Sequence, residues 1–171
     1  MGKKTQRGVP KVPWITESGT LDPTKFPIEP VLRQTVGEDF EDFRSGCVFL
    51  GTMACHGRVE AGVYLLGLLK HYRDDLGRLE VVVESLGAFR TEVCAKVLFE
   101  ELRRVKGSNA TRRYRDQVIR TLTRFPSEIV EAEFEALATD PSFSYRMRRK
   151  FAEAGGRLSS SDASWNSGGG G

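Results

Sequence analysis

The sequence predicts an all-α protein: a short α-solenoid of about three helix pairs, a C-terminal capping helix, and irregular tails at both ends. Apolar residues recur with the 3.6-residue period of an amphipathic helix across the middle of the 171-residue chain, and strict alternation is almost absent. The same region matches itself when it is shifted by 34 to 36 residues. Most prolines precede this region, and glycine and serine dominate the C-terminal end of the chain.

Composition divides the chain into three parts. Residues 1–37 are rich in proline, which fixes its own φ and donates no backbone N–H, so we expect an extended segment, with Trp14 and Phe26 as anchors that dock it onto one end of the repeats. Residues 38–154 carry the helical pattern and form the predicted repeat domain. Residues 155–171 read GGRLSSSDASWNSGGGG, and we expect a disordered tail because such a sequence buries too little apolar surface.

Helix-capping and helix-breaking residues define the predicted helices in order. The apolar stripes predict helix pairs at 38–71, 75–105 and 109–139, followed by a capping helix at 142–154. A glycine separates the two helices of the first pair, a proline begins the second helix of the third pair, and an Asp-Pro step precedes the capping helix. The predicted helices therefore end where the sequence supplies a breaker or a cap.

Two of these elements are the least regular. The first helix contains Gly46 and Gly51, which lower its helix propensity. The run Val81-Val82-Val83 is β-branched and would favour a strand in isolation. We assign both segments to helices because the apolar stripes run through them.

The internal repeat indicates that the helix pairs stack. A shift of 36 residues lays Val82 on Val118 and Leu86 on Leu122, and a shift of 34 relates the first pair to the second in the same way. One pair cannot bury its apolar faces alone, whereas stacked neighbours share a continuous core. Leu86 and Leu122 are therefore predicted to face inward.

This pattern resembles the HEAT/armadillo-like helical-repeat superfamily across residues 38–154, by its period, its helix-pair layout and its apolar positions. The resemblance implies an α-solenoid that presents an extended surface, and it brings no family-specific catalytic motif. A plain helical bundle, in which similar helices match without being repeats, is the alternative architecture.

The second half of the repeat domain is rich in arginine. Arg112 and Arg113 are equivalent to Arg148 and Arg149 after the 36-residue shift, so stacking would bring the four side chains together as a basic ladder. This ladder is the candidate contact for a polyanion or a partner, since arginines neutralise phosphates. The helix between them is acidic, and we expect the arginines to pair with it instead. Its acids are Glu128, Glu131, Glu133, Glu135 and Asp140.

No residue pattern in the chain indicates catalysis, a cofactor or a metal. His56 follows Cys55 and lies near Cys47, but a second pair of ligands at zinc spacing is missing. Cys94 lies on an apolar stripe without a neighbouring histidine to activate it. Some proteins of similar helical-repeat architecture are DNA base-excision enzymes, but that chemistry needs an aromatic lining, and both tryptophans lie outside the repeats. We therefore expect a protein that is not an enzyme.

Composition also limits the location and the partner. No apolar run approaches the roughly 20 residues needed to cross a bilayer, and no apolar stretch follows the basic N-terminus as it would in a signal peptide. Three cysteines, an odd number, favour reduced thiols in the cytoplasm. The net charge of +3 is mild. We expect a protein–protein interaction adaptor or scaffold, and the alternative is a nucleic-acid-binding module that uses the arginine ladder.

Overall fold

The computed structural model describes residues 12–166, with side chains as far as Leu158, and these residues contain eight α-helices. No strand is present among these residues, and the predicted all-α fold class is confirmed. In chain order, the helices are α1 (Glu29–Gln34), α2 (Phe40–Cys55), α3 (Val59–His71), α4 (Leu76–Leu86), α5 (Glu92–Arg104), α6 (Arg112–Leu122), α7 (Ser127–Thr139) and α8 (Tyr145–Asn166).

Some helices that are two apart in the chain pack side by side. The helix α4 lies between α2 and α6, and α5 packs against α7. Consecutive helices also pack, as α2 does with α3, α3 with α4, and α7 with α8. The helices α2, α4 and α6 therefore form one continuous row.

Buried leucines recur in the core at an interval of 36 residues. Leu50, Leu86, Leu122 and Leu158 are separated by this interval and are all buried, one each in α2, α4, α6 and α8. The buried apolar residues form a single cluster that extends through these helices. The predicted inward orientation of Leu86 and Leu122 is confirmed, because neither side chain is accessible to solvent.

Two glycines allow α2 to approach its neighbours closely. A Cβ atom at Gly51 would lie 2.9 Å from the backbone oxygen of Ser85 in α4, and a Cβ atom at Gly46 would lie 2.8 Å from Cγ2 of Thr35. Packed interiors do not tolerate such overlaps without movement of the helices. The glycines that lower the helix propensity of α2 therefore serve its packing.

The N-terminal segment packs on the first helix pair. Trp14 contacts Phe26 edge to face with 5.9 Å between ring centres, and Phe26 contacts Phe49 of α2 in the same way at 5.1 Å. The Nη1 atom of Arg58 donates a hydrogen bond of 2.5 Å to the backbone oxygen of Phe26. Apart from the short helix α1, residues 12–37 are irregular, and both predicted anchors lie at the junction.

Arg78 of α4 fastens the connection between α1 and α2. Its Nη1 and Nη2 atoms donate to the backbone oxygens of Gly37 and Glu38 at 3.0 Å and 2.8 Å, respectively. The guanidinium carbon also lies 4.8 Å from the ring centres of both Phe43 and Tyr72. This arginine therefore ties the N-terminal segment to the second helix pair.

The last helix is longer than the sequence predicts. The helix α8 continues to Asn166, beyond residue 154, where the predicted capping helix ends. The reason is that Phe151, Ala154 and Leu158 continue the apolar stripe at helical spacing and are all buried. Burial of that stripe supplies the stabilisation that the glycine- and serine-rich composition does not predict.

No helix within residues 12–166 is both long and apolar enough to cross a lipid bilayer. The predictions of an extended N-terminal segment and a disordered C-terminal tail also cover residues 1–11 and 167–171, which lie outside the described part of the chain.

Candidate functional site

A trough runs across the row formed by α2, α4 and α6. Its volume is about 680 Å³, and each of the three helices contributes side chains to it. Arg44, Glu80 and Asp116 line the trough and are separated by 36 residues, one on each helix, so the trough follows the repeat. Its charged residues are Arg44, Glu80, Glu84, Arg112, Arg113, Asp116 and Arg120.

Charges of both signs are mixed along this trough. The Nε atom of Arg113 lies 2.9 Å from a carboxylate oxygen of Glu80, so the arginine of α6 pairs across the row with α4. The Arg113 side chain is 87% exposed, and an exposed ion pair of this kind contributes at most about 1 kcal/mol to stability. The trough therefore offers both hydrogen-bond donors and carboxylate acceptors to a ligand.

A smaller cavity lies between α6 and α8, beside the trough. Its volume is about 260 Å³, and it shares Asn109 and Arg112 with the trough. Four basic side chains line it and no carboxylate is among its lining residues, so we call it the cationic cavity. It is lined by Gly107, Ser108, Asn109, Arg112, Arg115, Ser144, Arg146, Met147 and Lys150.

Arg115 is the buried member of this group. It is 6% exposed, and its Nε atom has no acceptor in the part of the chain that the structure describes. Its guanidinium carbon lies 5.6 Å from the ring centre of Phe143, and its Nη1 atom occupies the space that a Cβ atom at Gly107 would need. Desolvation lowers the pKa of Arg115 from its usual value, although nearby Asp116 opposes the shift. Because arginine titrates far above neutral pH, the wall of the cavity carries a buried cation.

Arg115 occupies a core position of the repeat. Shifts of 36 residues align it with Phe43 in α2, Leu79 in α4 and Phe151 in α8, and all three of these side chains are fully buried. The helical pattern alone does not single out this residue, because it lies among other arginines of α6 that are typical of a charged surface. The repeat alignment is the signal that distinguishes it, as the one polar residue in a column of apolar ones.

The cationic cavity retains a surplus of positive charge. Lys150 pairs with Asp116 of α6, with 2.5 Å between Nζ and Oδ1, so one of the four positive charges is offset. Among the described residues, Arg112 and Arg146 form no ion pair. The other three cations, Arg112, Arg115 and Arg146, form no ion pair among the described residues, although Asp116 lies near enough to Arg115 to act on its charge.

The four predicted ladder residues do not share one site, although Arg112 and Arg113 both line the trough. Of these, Arg112 alone lines the cationic cavity, and Arg113 forms the ion pair with α4. Arg149 pairs with Glu153 one turn further along α8, with 3.0 Å between Nε and the carboxylate. The Nε atom of Arg148 is buried and has no acceptor among the described residues. Stacking thus brings Arg112 together with Arg115, Arg146 and Lys150 instead.

The predicted pairing of the ladder with the acidic helix α7 is corrected for Arg113 and Arg149, whose partners lie on α4 and on α8 itself. The reason is packing, because α6 lies against α4 in the row. From α7, Glu133 pairs with Arg103 of α5 at 2.6 Å. The pKa of Asp140 at the end of α7 is lowered mainly by hydrogen bonds from Ser142, with smaller contributions from arginines that include Arg148.

The cysteines differ in their surroundings. Burial raises the pKa of both Cys47 and Cys94 to about 12, so these thiols stay protonated at neutral pH and are poor nucleophiles. Cys55 is exposed at the end of α2. Within the described residues, no group of three or more His, Cys, Asp or Glu side chains is placed to hold a metal ion.

Comparison of the chain with protein-family models, with curated proteins and with solved structures gives no match. The structure itself therefore describes the protein: an all-helical chain in which a trough of mixed charge adjoins a cationic cavity.

Proposed function

We propose that this protein is a HEAT-like helical-repeat adaptor, a short α-solenoid that binds an extended segment of a protein partner in the trough. The observation that carries the proposal is the trough itself, to which α2, α4 and α6 contribute equivalent faces. Solenoids bind partners on extended surfaces of this kind. The packing of α4 between α2 and α6 favours a solenoid over a plain bundle.

The mixed charge of the trough favours a protein segment over a nucleic acid. A nucleic acid presents a continuous row of phosphates, which Glu80, Glu84 and Asp116 would repel. A peptide with side chains of both signs complements such a surface. Phe40, at the end of the trough formed by α2, is 43% exposed and adds an apolar contact of the kind that anchors protein interfaces.

The proposed role is non-catalytic and cytoplasmic. The two core thiols remain protonated, and the charges of the trough are spread over three helices instead of converging on one reacting atom. The three cysteines are unpaired, which suits a reducing compartment.

A paired charge reversal tests the adaptor role. The trough variant Arg44→Glu/Glu84→Arg keeps the net charge and changes the pattern on two helices of the row. The control Lys96→Glu/Glu100→Arg makes the same exchange at exposed positions of α5. Tagged full-length chains are used to capture proteins from nuclease-treated cell extract, and captured proteins are quantified by mass spectrometry and then bound in purified form by calorimetry.

We expect the wild type and the control to retain the same partner and the trough variant to bind it about tenfold or more weakly, because interfacial charges would meet like charges. Equal capture by all three proteins would refute the trough as the binding surface. Proteins that are captured from untreated extract but are all lost after nuclease treatment would instead support the nucleic-acid-binding alternative.

A further inference from the structure

The cationic cavity contains a charge that the fold itself does not explain. Arg115 is nearly buried, and its Nε atom has no acceptor among the described residues, although a buried charge is costly unless it is paired. Equivalent positions in three other helices hold Phe43, Leu79 and Phe151, so an apolar residue fits the fold at this place. An anion in the cavity would supply the missing partner.

The surroundings of Arg115 fit an oxyanion. Arg112 and Arg146 line the same cavity without ion pairs among the described residues, and Lys150 adds a third charge that Asp116 partly offsets. The cavity also lies at the first turns of α6 and α8, where helix dipoles favour negative charge. Gly107 leaves room for the Arg115 guanidinium to reach the wall of the cavity.

We infer that the cationic cavity binds the phosphoryl group of a phosphorylated side chain in the partner segment that occupies the trough; the inference rests on the proposed adaptor function. A phosphoryl group carries up to two negative charges and three acceptor oxygens, which match three cations that form no ion pair among the described residues better than a single carboxylate does. The volume of about 260 Å³ accommodates this group with a few carrier atoms.

The position of the cavity indicates which kind of molecule carries the phosphoryl group. Asn109 and Arg112 line both the trough and the cavity, so a side chain that leaves a segment in the trough enters the cavity directly. The acids of the trough disfavour a nucleic-acid strand along the same path. A peptide that carries one phosphorylated residue therefore satisfies both surfaces.

Inorganic phosphate tests the cavity on the full-length protein without a partner. At about ten times its dissociation constant, phosphate should raise the Tm of the wild type by about 3–6 °C. Arg115→Leu places the residue found at the equivalent position in α4 and should weaken phosphate binding about tenfold or more. Arg146→Gln removes a cation of the same wall and should also weaken binding, while Arg73→Gln, at an exposed position between α3 and α4, should not.

The outcome of this titration is decisive for the cavity. Protection of the wild type and Arg73→Gln, with reduced protection of Arg115→Leu and Arg146→Gln, supports the site. Equal shifts in all four proteins would show only a general charge effect, and no shift in the wild type would show no binding. Either result overturns the inference.

The carrier is tested with a library of short peptides that contain phosphoserine, the same library with serine, and short duplex DNA. We expect the wild type to retain the phosphoserine peptides about tenfold or more over the serine peptides, and Arg115→Leu to lose this preference. Equal retention of both libraries, or displacement by DNA at lower concentration than by phosphopeptide, overturns the peptide as carrier.

The two proposals fail in different ways. The trough variant Arg44→Glu/Glu84→Arg leaves every lining residue of the cationic cavity in place and should still bind inorganic phosphate. If this variant captures the partner normally while phosphate binds as expected, the adaptor surface is wrong and the anion site stands. If the wild type binds no phosphate but the trough variant loses the partner, the anion site is wrong and the adaptor surface stands.

Discussion

The guanidinium carbon of Arg115 lies 5.6 Å from the ring centre of Phe143, and Phe143 packs edge to face on Phe151 at 5.2 Å. Phe151 occupies in α8 the repeat position that Arg115 occupies in α6. Two equivalent positions of the repeat, one charged and one apolar, are thus joined through one aromatic ring. The ring holds the cation in place without offering it a counter-charge.

The first prediction concerns the stability cost of this cation. Arg115→Leu should increase the free energy of unfolding by about 1–2 kcal/mol in the absence of phosphate, because an apolar residue replaces a buried cation whose Nε atom has no acceptor among the described residues. Chemical denaturation monitored by circular dichroism measures the change. Arg115→Ala serves as the control, since it removes the charge but leaves a void. Its free energy of unfolding should therefore increase by less than that of Arg115→Leu. A loss of more than about 1 kcal/mol in Arg115→Leu would contradict the prediction.

The second prediction concerns the repeated core. Leu86→Ala and Leu122→Ala should each lower the free energy of unfolding by about 2–5 kcal/mol, because both side chains are fully buried. Val93→Ala, on a side chain that is 64% exposed, should change it by less than about 0.5 kcal/mol. Denaturant titration of the three variants provides the test. Comparable effects at buried and exposed positions would show that the inward faces are misassigned.

The third prediction compares two helical glycines. Gly51→Ala should destabilise the protein by about 1–3 kcal/mol, because the new Cβ atom would meet the backbone oxygen of Ser85 at 2.9 Å. Gly67→Ala has open space around its Cβ atom in α3 and should stabilise the protein by about 0.5–1 kcal/mol through helix propensity. Thermal and chemical unfolding distinguish the signs. A gain at both positions would mean that α2 and α4 are less closely packed.

The fourth prediction concerns Arg78 and the N-terminal segment. Arg78→Gln should lower the free energy of unfolding by about 2–4 kcal/mol, because it removes charge-assisted hydrogen bonds to the backbone of Gly37 and Glu38 and a contact with two aromatic rings. Hydrogen exchange should also accelerate in α1. Arg73→Gln is the matched control at an exposed position. Unchanged exchange in α1 would argue against the anchoring role.

The fifth prediction concerns thiol reactivity. One thiol per native chain, that of Cys55, should react quickly with an aromatic disulfide reagent at mildly alkaline pH. Cys47 and Cys94 should react only on unfolding, because burial raises the pKa of each to about 12 and blocks access. Cys55→Ser should abolish the fast phase. Two fast thiols in the native protein would contradict the burial of one of the other cysteines.

Local sequence patterns predicted the helices well because their causes are local. The period that places Leu86 and Leu122 inward arises from backbone hydrogen bonds four residues apart and from one apolar face. The run Val81-Val82-Val83 is helical in the structure although its residues favour strands, since the stripe that buries Val82 and Val83 outweighs propensity. Composition was less informative at the C-terminus, where burial of Leu158 extends α8 beyond the predicted boundary.

The sequence by itself predicted most of the helices between residues 38 and 154 and the inward orientation of Leu86 and Leu122. Only the tertiary structure decided which charges meet. Arg113 pairs with Glu80 and Lys150 with Asp116, and each pair joins two helices that are distant in the chain. Such pairings depend on the crossing and spacing of packed helices, which no local period encodes. For the same reason, only the tertiary structure places the buried Nε atom of Arg115, which has no acceptor among the described residues, beside a cavity between α6 and α8.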